Sequence, residues 1–323
     1  MTDRKGADLP ETMMALRAHT RGGPEQLVYE QAPVPAVRPG EVLVAVHAAG
    51  ITFAELSWDL TWTTSDGTDR TPVIPAHELS GIVARTGPGG SDPAAGDPVL
   101  GLIDFDRDGA AAEFVTVPAA NLATKPPSVP HPVAAALPLA GMTAWQALVD
   151  HADLQPGEQV LIQGGAGAVG SFAVQLAASL GGHVTATDRG ANASLIRAAG
   201  AERVWSAADL ADPADPAQKK FDVVIDTVGG AVLEQSYGLL RPGGRLVTLS
   251  APPDQDRAAQ LKIHAVFFVV TPDPVALAGL AERTRDGTLR PLISQTFPLA
   301  QGREAYQSGH QSRPPGKTIL TVR

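Results

Sequence analysis

The sequence predicts an α/β protein in which a small β-rich, barrel-like domain precedes a doubly wound parallel sheet. Three observations carry this. Residues 159–170 read Gln-Val-Leu-Ile-Gln-Gly-Gly-Ala-Gly-Ala-Val-Gly, an apolar run of strand length that breaks into glycines, and an Ala/Val/Leu pattern at helical spacing continues to Leu180. Strand-like and helical segments then alternate as far as Val270. Before residue 126, in contrast, short β-like pieces are separated by dense Gly, Pro and Asp turns.

Composition bounds the rest. A chain of 323 residues can bury two domain cores. Its 25 Lys and Arg against 34 Asp and Glu leave a net charge of -9 without a basic cluster, which argues against nucleic acid. No apolar run approaches the roughly 18 residues that would span a bilayer. The polar start, Met1 to Thr12, reads as a disordered leader rather than a signal peptide, so the expectation is a soluble cytoplasmic protein. The absence of cysteine excludes disulfides, Cys-ligated zinc and thiol catalysis together.

Taken in order, Met14 to Leu27 is extended and broken at Arg21-Gly22-Gly23-Pro24, and Pro33, Pro35 and Pro39 stiffen a connection. Val42 to His47 alternates as a strand should, and further strands are expected at Gly81–Arg85, Pro98–Leu102 and Glu113–Val117. Pro126, Pro127, Pro130 and Pro132 mark a boundary, giving domains 1–126 with 272–323 and, between them, 127–271. After a helical stretch from Ala134 to His151, strands are expected at Gln159–Gln163, His183–Thr187, Arg203–Trp205, Phe221–Asp226, Arg245–Leu249 and Ala265–Val270. Helices fall between them at Val169–Leu180, Ala191–Ala199, Leu210–Lys220 and Ala231–Leu240. The tail carries a helix near Val275–Arg285 and strands near Leu292–Phe297 and Thr318–Val322, and is expected to return to the first domain.

Gly165, Gly167 and Gly170 stand at GxGxxG spacing. One permits the sharp turn, one lets backbone approach a pyrophosphate, and one lets helix pack closely on strand. The helix head beyond, at Ala168 and Val169, offers free N–H groups to phosphate. Asp188, at the end of the next strand and 18 residues after Gly170, stands where a carboxylate meets ribose hydroxyls.

Several phrases in one order resemble the medium-chain dehydrogenase/reductase superfamily, within it the zinc-free quinone oxidoreductase (zeta-crystallin-like) branch. They are Arg38-Pro39-Gly40-Glu41-Val42-Leu43-Val44, Ile74-Pro75-Ala76-His77-Glu78, Leu137-Pro138-Leu139-Ala140-Gly141-Met142-Thr143, the glycine turn, Asp226-Thr227-Val228-Gly229-Gly230 and Gly316-Lys317. The resemblance implies a GroES-like β-barrel catalytic domain completed by the tail, a Rossmann domain between, and a homodimer. It implies further cofactor contacts at Thr143, Thr227, Val228, Leu249, Ser250, Phe268 and Lys317.

His77-Glu78 is similar to the phrase in which zinc alcohol dehydrogenases supply a His ligand. Their two cysteine ligands correspond to Thr52 and Ala140, which cannot replace thiolates at a tetrahedral site, so no metal is expected. The resemblance then implies hydride transfer from a nicotinamide to a quinone or to the C=C bond of an enone. Thr52 would hold the carbonyl, Glu55, His77 or Glu78 would relay at most, and solvent would supply the proton. Many relatives carry Asn at the Thr52 position and Tyr at Ser57, so the usual candidate proton donor is absent from that position. Trp58 and Trp62 are candidates for a flat substrate wall. Asp188 favours NADH and Arg189 favours NADPH; NADPH is the leading expectation. A non-catalytic NADPH-binding protein of crystallin type and an alcohol dehydrogenase relative are the alternatives.

Overall fold

In the computed structural model residues 9–64, 66–206, 209, 221–311 and 315–323 are described. The chain divides into two compact units, Met1–Ala135 with Thr296–Arg313 and Thr318–Arg323, and Ala136–Gln295 with Pro314–Lys317. Both divisions fall later than residues 126 and 272. Beyond Pro126 the chain stays with the first unit because Lys125 Nζ donates to Pro126 O at 3.0 Å and Val129 O at 2.7 Å, and His131 Nδ1 meets Ser80 Oγ at 2.8 Å. The helix after residue 272 stays with the second unit, where Leu280 closes on Gly141.

The first unit begins with an antiparallel pair, β1 (Thr12–Ala18) and β2 (Leu27–Pro33). Next come β3 (Glu41–Ile51), the short α1 (Asp59–Trp62), β4 (Glu78–Thr86), β5 (Pro98–Leu102), β6 (Phe114–Pro118), β7 (Leu122–Thr124) and α2 (His131–Ala134). β3 pairs with both β4 and β6, and Val42, Leu43, Val44 and Val46 are all buried. The alternation expected there is absent because the strand is covered on both faces.

The second unit opens with α3 (Ala140–Trp145), which runs on as a π-helical turn through Gln146–His151. The single helix expected from Ala134 is interrupted around Pro138, which lacks the N–H a continuous helix needs. The unit continues as β8 (Gln159–Gln163), α4 (Ala168–Ser179), β9 (His183–Thr187), α5 (Ala193–Ala198), β10 (Arg203–Trp205), β11 (Phe221–Asp226), α6 (Ala231–Ser236), β12 (Leu240–Thr248), α7 (Gln255–Leu261), β13 (His264–Phe267) and α8 (Pro274–Arg285). The helix expected at Leu210–Lys220 lies outside the described residues, as does most of the expected leader. Strand order is β10-β9-β8-β11-β12-β13, all parallel. The chain winds outward from β8 to one edge and from β11 to the other. The carboxyl ends of β8 and β11 therefore form the switch point where such sheets bind ligands.

The tail supplies β14 (Ile293–Pro298), α9 (Gly302–Gln311) and β15 (Lys317–Thr321). β15 pairs antiparallel with β3, Thr318 opposite Ile51, in a seven-stranded sheet ordered β14-β15-β3-β4-β5-β7 with β6 on β3. α9 was not expected from the sequence. A Cβ on its Gly309 would lie 2.3 Å from the Phe53 ring, so the helix rests directly on the residues that follow β3.

Candidate active site

In the second unit the turn after β8 is tied to the end of β9. Gly164 N–H donates to Thr187 Oγ1 at 2.9 Å, and Gly165 N–H donates to Thr187 O at 2.9 Å. Gly167 N–H folds back onto Gly164 O at 2.9 Å. Two positions of this turn exclude a side chain: a Cβ at Gly170 would stand 2.1 Å from Gly164 O, and one at Gly165 would stand 2.7 Å from Ala186 Cβ. Gly164 has φ of +78, which favours glycine. α4 starts at Ala168 with no side-chain cap, leaving the N–H groups of Ala168, Val169 and Gly170 without intrahelical acceptors. Unfilled donors beside a methyl-excluding backbone turn fit a diphosphate.

The other expected cofactor residues in this unit separate into those with free polar groups and those already bonded. The Asp188 carboxylate accepts from Gly190 N–H at 2.9 Å, Asn192 N–H at 2.8 Å and Asn192 Nδ2 at 3.1 Å. Burial alone would raise its pKa, but the Asn192, Gly190 and Arg189 donors outweigh burial and lower it. Arg189 is exposed, and among the described residues its guanidinium has no acidic partner. Thr227 Oγ1 donates to Gln163 O at 2.8 Å, and Val228 is 42% exposed beside it. Leu249 is half-buried, Ser250 is exposed, and Phe268 lies against the His151 ring at 4.2 Å. Thr143 is buried, its hydroxyl donating to Leu139 O at 2.6 Å within α3. Lys317 is buried at 2% exposure, and the preceding Gly316 N–H donates to Ala166 O at 2.8 Å. The closing Gly-Lys phrase is thus fastened to the glycine turn, a link between residues 150 apart that no local pattern announces.

In the first unit the structure brings Glu55 and His77 together and adds Tyr306. Glu55 is fully buried on the turn before α1, and its Oε1 accepts from Ala76 N–H and from the Tyr306 hydroxyl at 3.1 Å. His77 Nδ1 faces the same oxygen at 3.7 Å. His77 Nε2 lies 2.9 Å from Arg107 O, and a carbonyl only accepts, so Nε2 carries the hydrogen. Among the described residues Glu55 Oε2 and His77 Nδ1 are buried without a hydrogen-bond partner. Burial, then the adjacent Glu55 charge and hydrogen bond, push the Tyr306 phenol well above its usual value, so it stays protonated and donates. Ala76 holds φ at +71, and the Glu55 carboxylate bonds the N–H of that strained residue.

Thr52 is half-buried next to this cluster in sequence, and its carbonyl accepts from Glu55 N–H at 3.0 Å. The two tryptophans part company. Trp58 is half-buried with its ring edge-on to Phe105 at 5.3 Å, and Phe105 in turn lies 5.5 Å from the His77 ring. Trp62 is instead a core residue, 2% exposed, its Nε1 donating to Leu56 O at 2.9 Å. An indole so enclosed presents no wall to a substrate. Among the described residues no group of three or more His, Asp or Glu gathers that could hold a metal ion.

Known proteins place these features in context. The "Alcohol dehydrogenase GroES-like domain" model matches residues 38–127, and the "Zinc-binding dehydrogenase" model matches residues 199–320. The chain is 30% identical to NAD(P)H oxidoreductase RTN4IP1, mitochondrial, of Danio rerio, over 88% of this chain and 84% of that one. It is 34% identical, over 88% of its own length, to a segment making up 5% of Polyketide synthase GfsB of Streptomyces halstedii. Among solved structures the quinone oxidoreductase of Coxiella burnetii superposes with a TM-score of 0.89 at 28% identity, covering 97% of this chain and all of that one. The chain belongs to the medium-chain dehydrogenase/reductase superfamily, in its quinone-oxidoreductase-like branch. Its first unit is GroES-like and its second Rossmann-like, and it is an oxidoreductase that uses a nicotinamide cofactor. Among the described residues no helix is long and apolar enough to cross a membrane.

Proposed function

We propose that this medium-chain reductase is NADPH-dependent and zinc-independent, and that it reduces a quinone or the C=C bond of an α,β-unsaturated carbonyl compound. The observation that carries the reading is the state of His77: Nε2 donates to Arg107 O, Nδ1 faces Glu55, and the chain has no cysteine to complete a zinc site. The bound nicotinamide supplies the hydride. The N–H groups at the head of α4 and the glycine turn hold the diphosphate. The Asp188 carboxylate is bonded within its own loop while, among the described residues, the exposed Arg189 guanidinium has no acidic partner, which favours a 2′-phosphate and hence NADPH over NADH.

The acceptor takes hydride at carbon while negative charge grows on its conjugated oxygen. The Thr52 hydroxyl and nearby backbone N–H groups stabilise that charge. Trp58 and Phe105 give the site an aromatic wall. The completing proton comes from solvent, relayed at most by Glu55 and His77, whose Oε1 and Nδ1 lie 3.7 Å apart. Likeness to a segment of a polyketide synthase supports an acyl or polyketide-like enone among the candidates. β13 is an edge strand followed by Val269, 55% exposed, which supports pairing with a second copy of the chain. The test is NADPH oxidation by chelator-treated protein against a quinone panel and an enone panel. Oxidation with either class is expected. Cofactor that binds but is never oxidised by any acceptor would indicate a binding protein, and activity restored only by zinc would return the chain to the alcohol dehydrogenases.

A further inference from the structure

Asp226 closes β11 and is fully buried, yet neither a glycine motif nor a catalytic phrase singles it out. Its two carboxylate oxygens serve two different loops. Oδ1 accepts from Val228 N–H at 3.1 Å and Gly229 N–H at 3.0 Å, in the loop after β11. Oδ2 accepts from Thr248 Oγ1 at 3.1 Å and Ser250 Oγ at 3.3 Å, at the end of β12. Its backbone carbonyl takes Leu249 N–H at 3.0 Å. The loops are pressed together, since a Cβ on Gly229 would meet Ser250 Oγ at 2.5 Å, and Gly229 has φ of +79. Thr227 extends the chain of bonds to Gln163 O at 2.8 Å, immediately before the glycine turn. The ends of β8, β11 and β12 are therefore one hydrogen-bonded arc with a single buried carboxylate at its hub.

We propose that Asp226 is a positioning residue for the cofactor: it fixes the rim loops after β11 and β12 that receive the half of NADPH distant from its 2′-phosphate. The proposal rests on the NADPH reading given above. Strand order supports the division, because Asp188 and Arg189 follow β9, on one side of β8, whereas Asp226 and its loops lie on the other. A dinucleotide laid across the strand ends with its 2′-phosphate at Arg189 meets the Asp226 arc with its other half. Asp222 provides an internal control at the amino end of the same strand. It is also buried, and it accepts Gln159 N–H at 2.7 Å and pairs with Arg241.

The experiment compares equilibrium binding of NADPH and of adenosine 2′,5′-bisphosphate, with a thermal melt for each variant. Asp226→Ala is expected to raise the Kd for NADPH about tenfold or more while leaving that for the bisphosphate within about twofold of wild type. Asp226→Asn retains a carbonyl oxygen for Val228 and Gly229 and should recover part of the NADPH affinity; it also decides the question if the alanine variant does not fold. Asp222→Asn should lower the melting temperature without changing either Kd. Wild-type NADPH affinity in both Asp226 variants, or equal loss of both ligands, would overturn the proposal. A wild-type chain that binds neither NADPH nor NADH would refute the underlying reading instead.

Discussion

Gly167 and Gly170 sit three residues apart in one turn, and the structure assigns them different burdens that a pair of alanine substitutions separates. At Gly170 a Cβ would lie 2.1 Å from Gly164 O, 2.8 Å from Gly164 C and 3.0 Å from Gly165 Cα. All three are backbone atoms, so relief requires moving the head of α4 away from the turn by close to 1 Å. Overpacking of that kind costs about 1–3 kcal/mol, or roughly 3–10 °C in melting temperature for a unit of this size. At Gly167 the new Cβ meets only Gly164 O, at 3.2 Å, and φ of -69 with ψ of 175 suits alanine. Alanine is a poorer N-cap than glycine by some tenths of a kcal/mol to ~1 kcal/mol, but it also restricts the unfolded chain by about as much, so the net change in stability is near zero. The methyl instead occupies the space where backbone must approach a diphosphate. Gly167→Ala should therefore melt as wild type yet bind NADPH about tenfold or more weakly, whereas Gly170→Ala should lose both stability and affinity. Thermal melts and cofactor fluorescence titrations on the two purified variants decide the matter. Wild-type NADPH affinity in Gly167→Ala, or a wild-type melt for Gly170→Ala, would show that this turn is not the cradle described.

Three other outcomes follow from the same structure. Arg189→Ala should raise the Kd for NADPH by about tenfold and leave NADH nearly unchanged, because among the described residues that exposed guanidinium has no acidic partner and can serve a phosphate as a charge-assisted donor; equal effects on both cofactors would contradict the assignment. Tyr306→Phe should destabilise the chain by about 1–2 kcal/mol in urea titration, since it removes a hydroxyl donor from a buried carboxylate that keeps Ala76 N–H; an unchanged midpoint would contradict a stabilising Tyr306–Glu55 bond. His131 is held down to about 4 by burial, then by His47 and Lys125, so protonation below its ordinary value of 6.5 favours the unfolded chain. Its contribution is full above pH 6.5 and falls away toward about pH 4, by at most ~3 kcal/mol, and His131→Gln should flatten that part of the stability profile.

The second unit was legible because its signals are local. The strand, the glycines and the helix head of the cofactor turn are consecutive, and the remaining strands of the sheet are short apolar runs whose bounds shift by only a residue or so at most ends. β12 and β13 are the exceptions: β12 starts at Leu240 rather than Arg245, because Phe221 already pairs with Leu240 before the ladder shifts register, and β13 ends at Phe267 rather than Val270. The first unit was harder. Tyr306 reaches Glu55 across 251 positions from a largely polar helix, a separation that no local pattern can bridge. Trp58 and Trp62 are alike in composition and spacing, yet only the fold decides that one borders Phe105 and the other fills the core. Glu55 and His77 were picked out as separate residues, and what the sequence could not convey is that Ala76 adopts a left-handed turn that presses them together. Asp226 was quoted within a motif without a role, because its partners lie on two strands that only the sheet makes neighbours.

The central claim is that hydride passes to an acceptor with no metal ion taking part. Its most direct test is turnover by protein dialysed against chelator and shown to be metal-free, using NADPH deuterated at the transferred position and whichever quinone or enone the panels identify. The account predicts full activity with a primary isotope effect on the chemical step, unaltered by added zinc. Metal-free protein that is inactive and recovers only with zinc would contradict it.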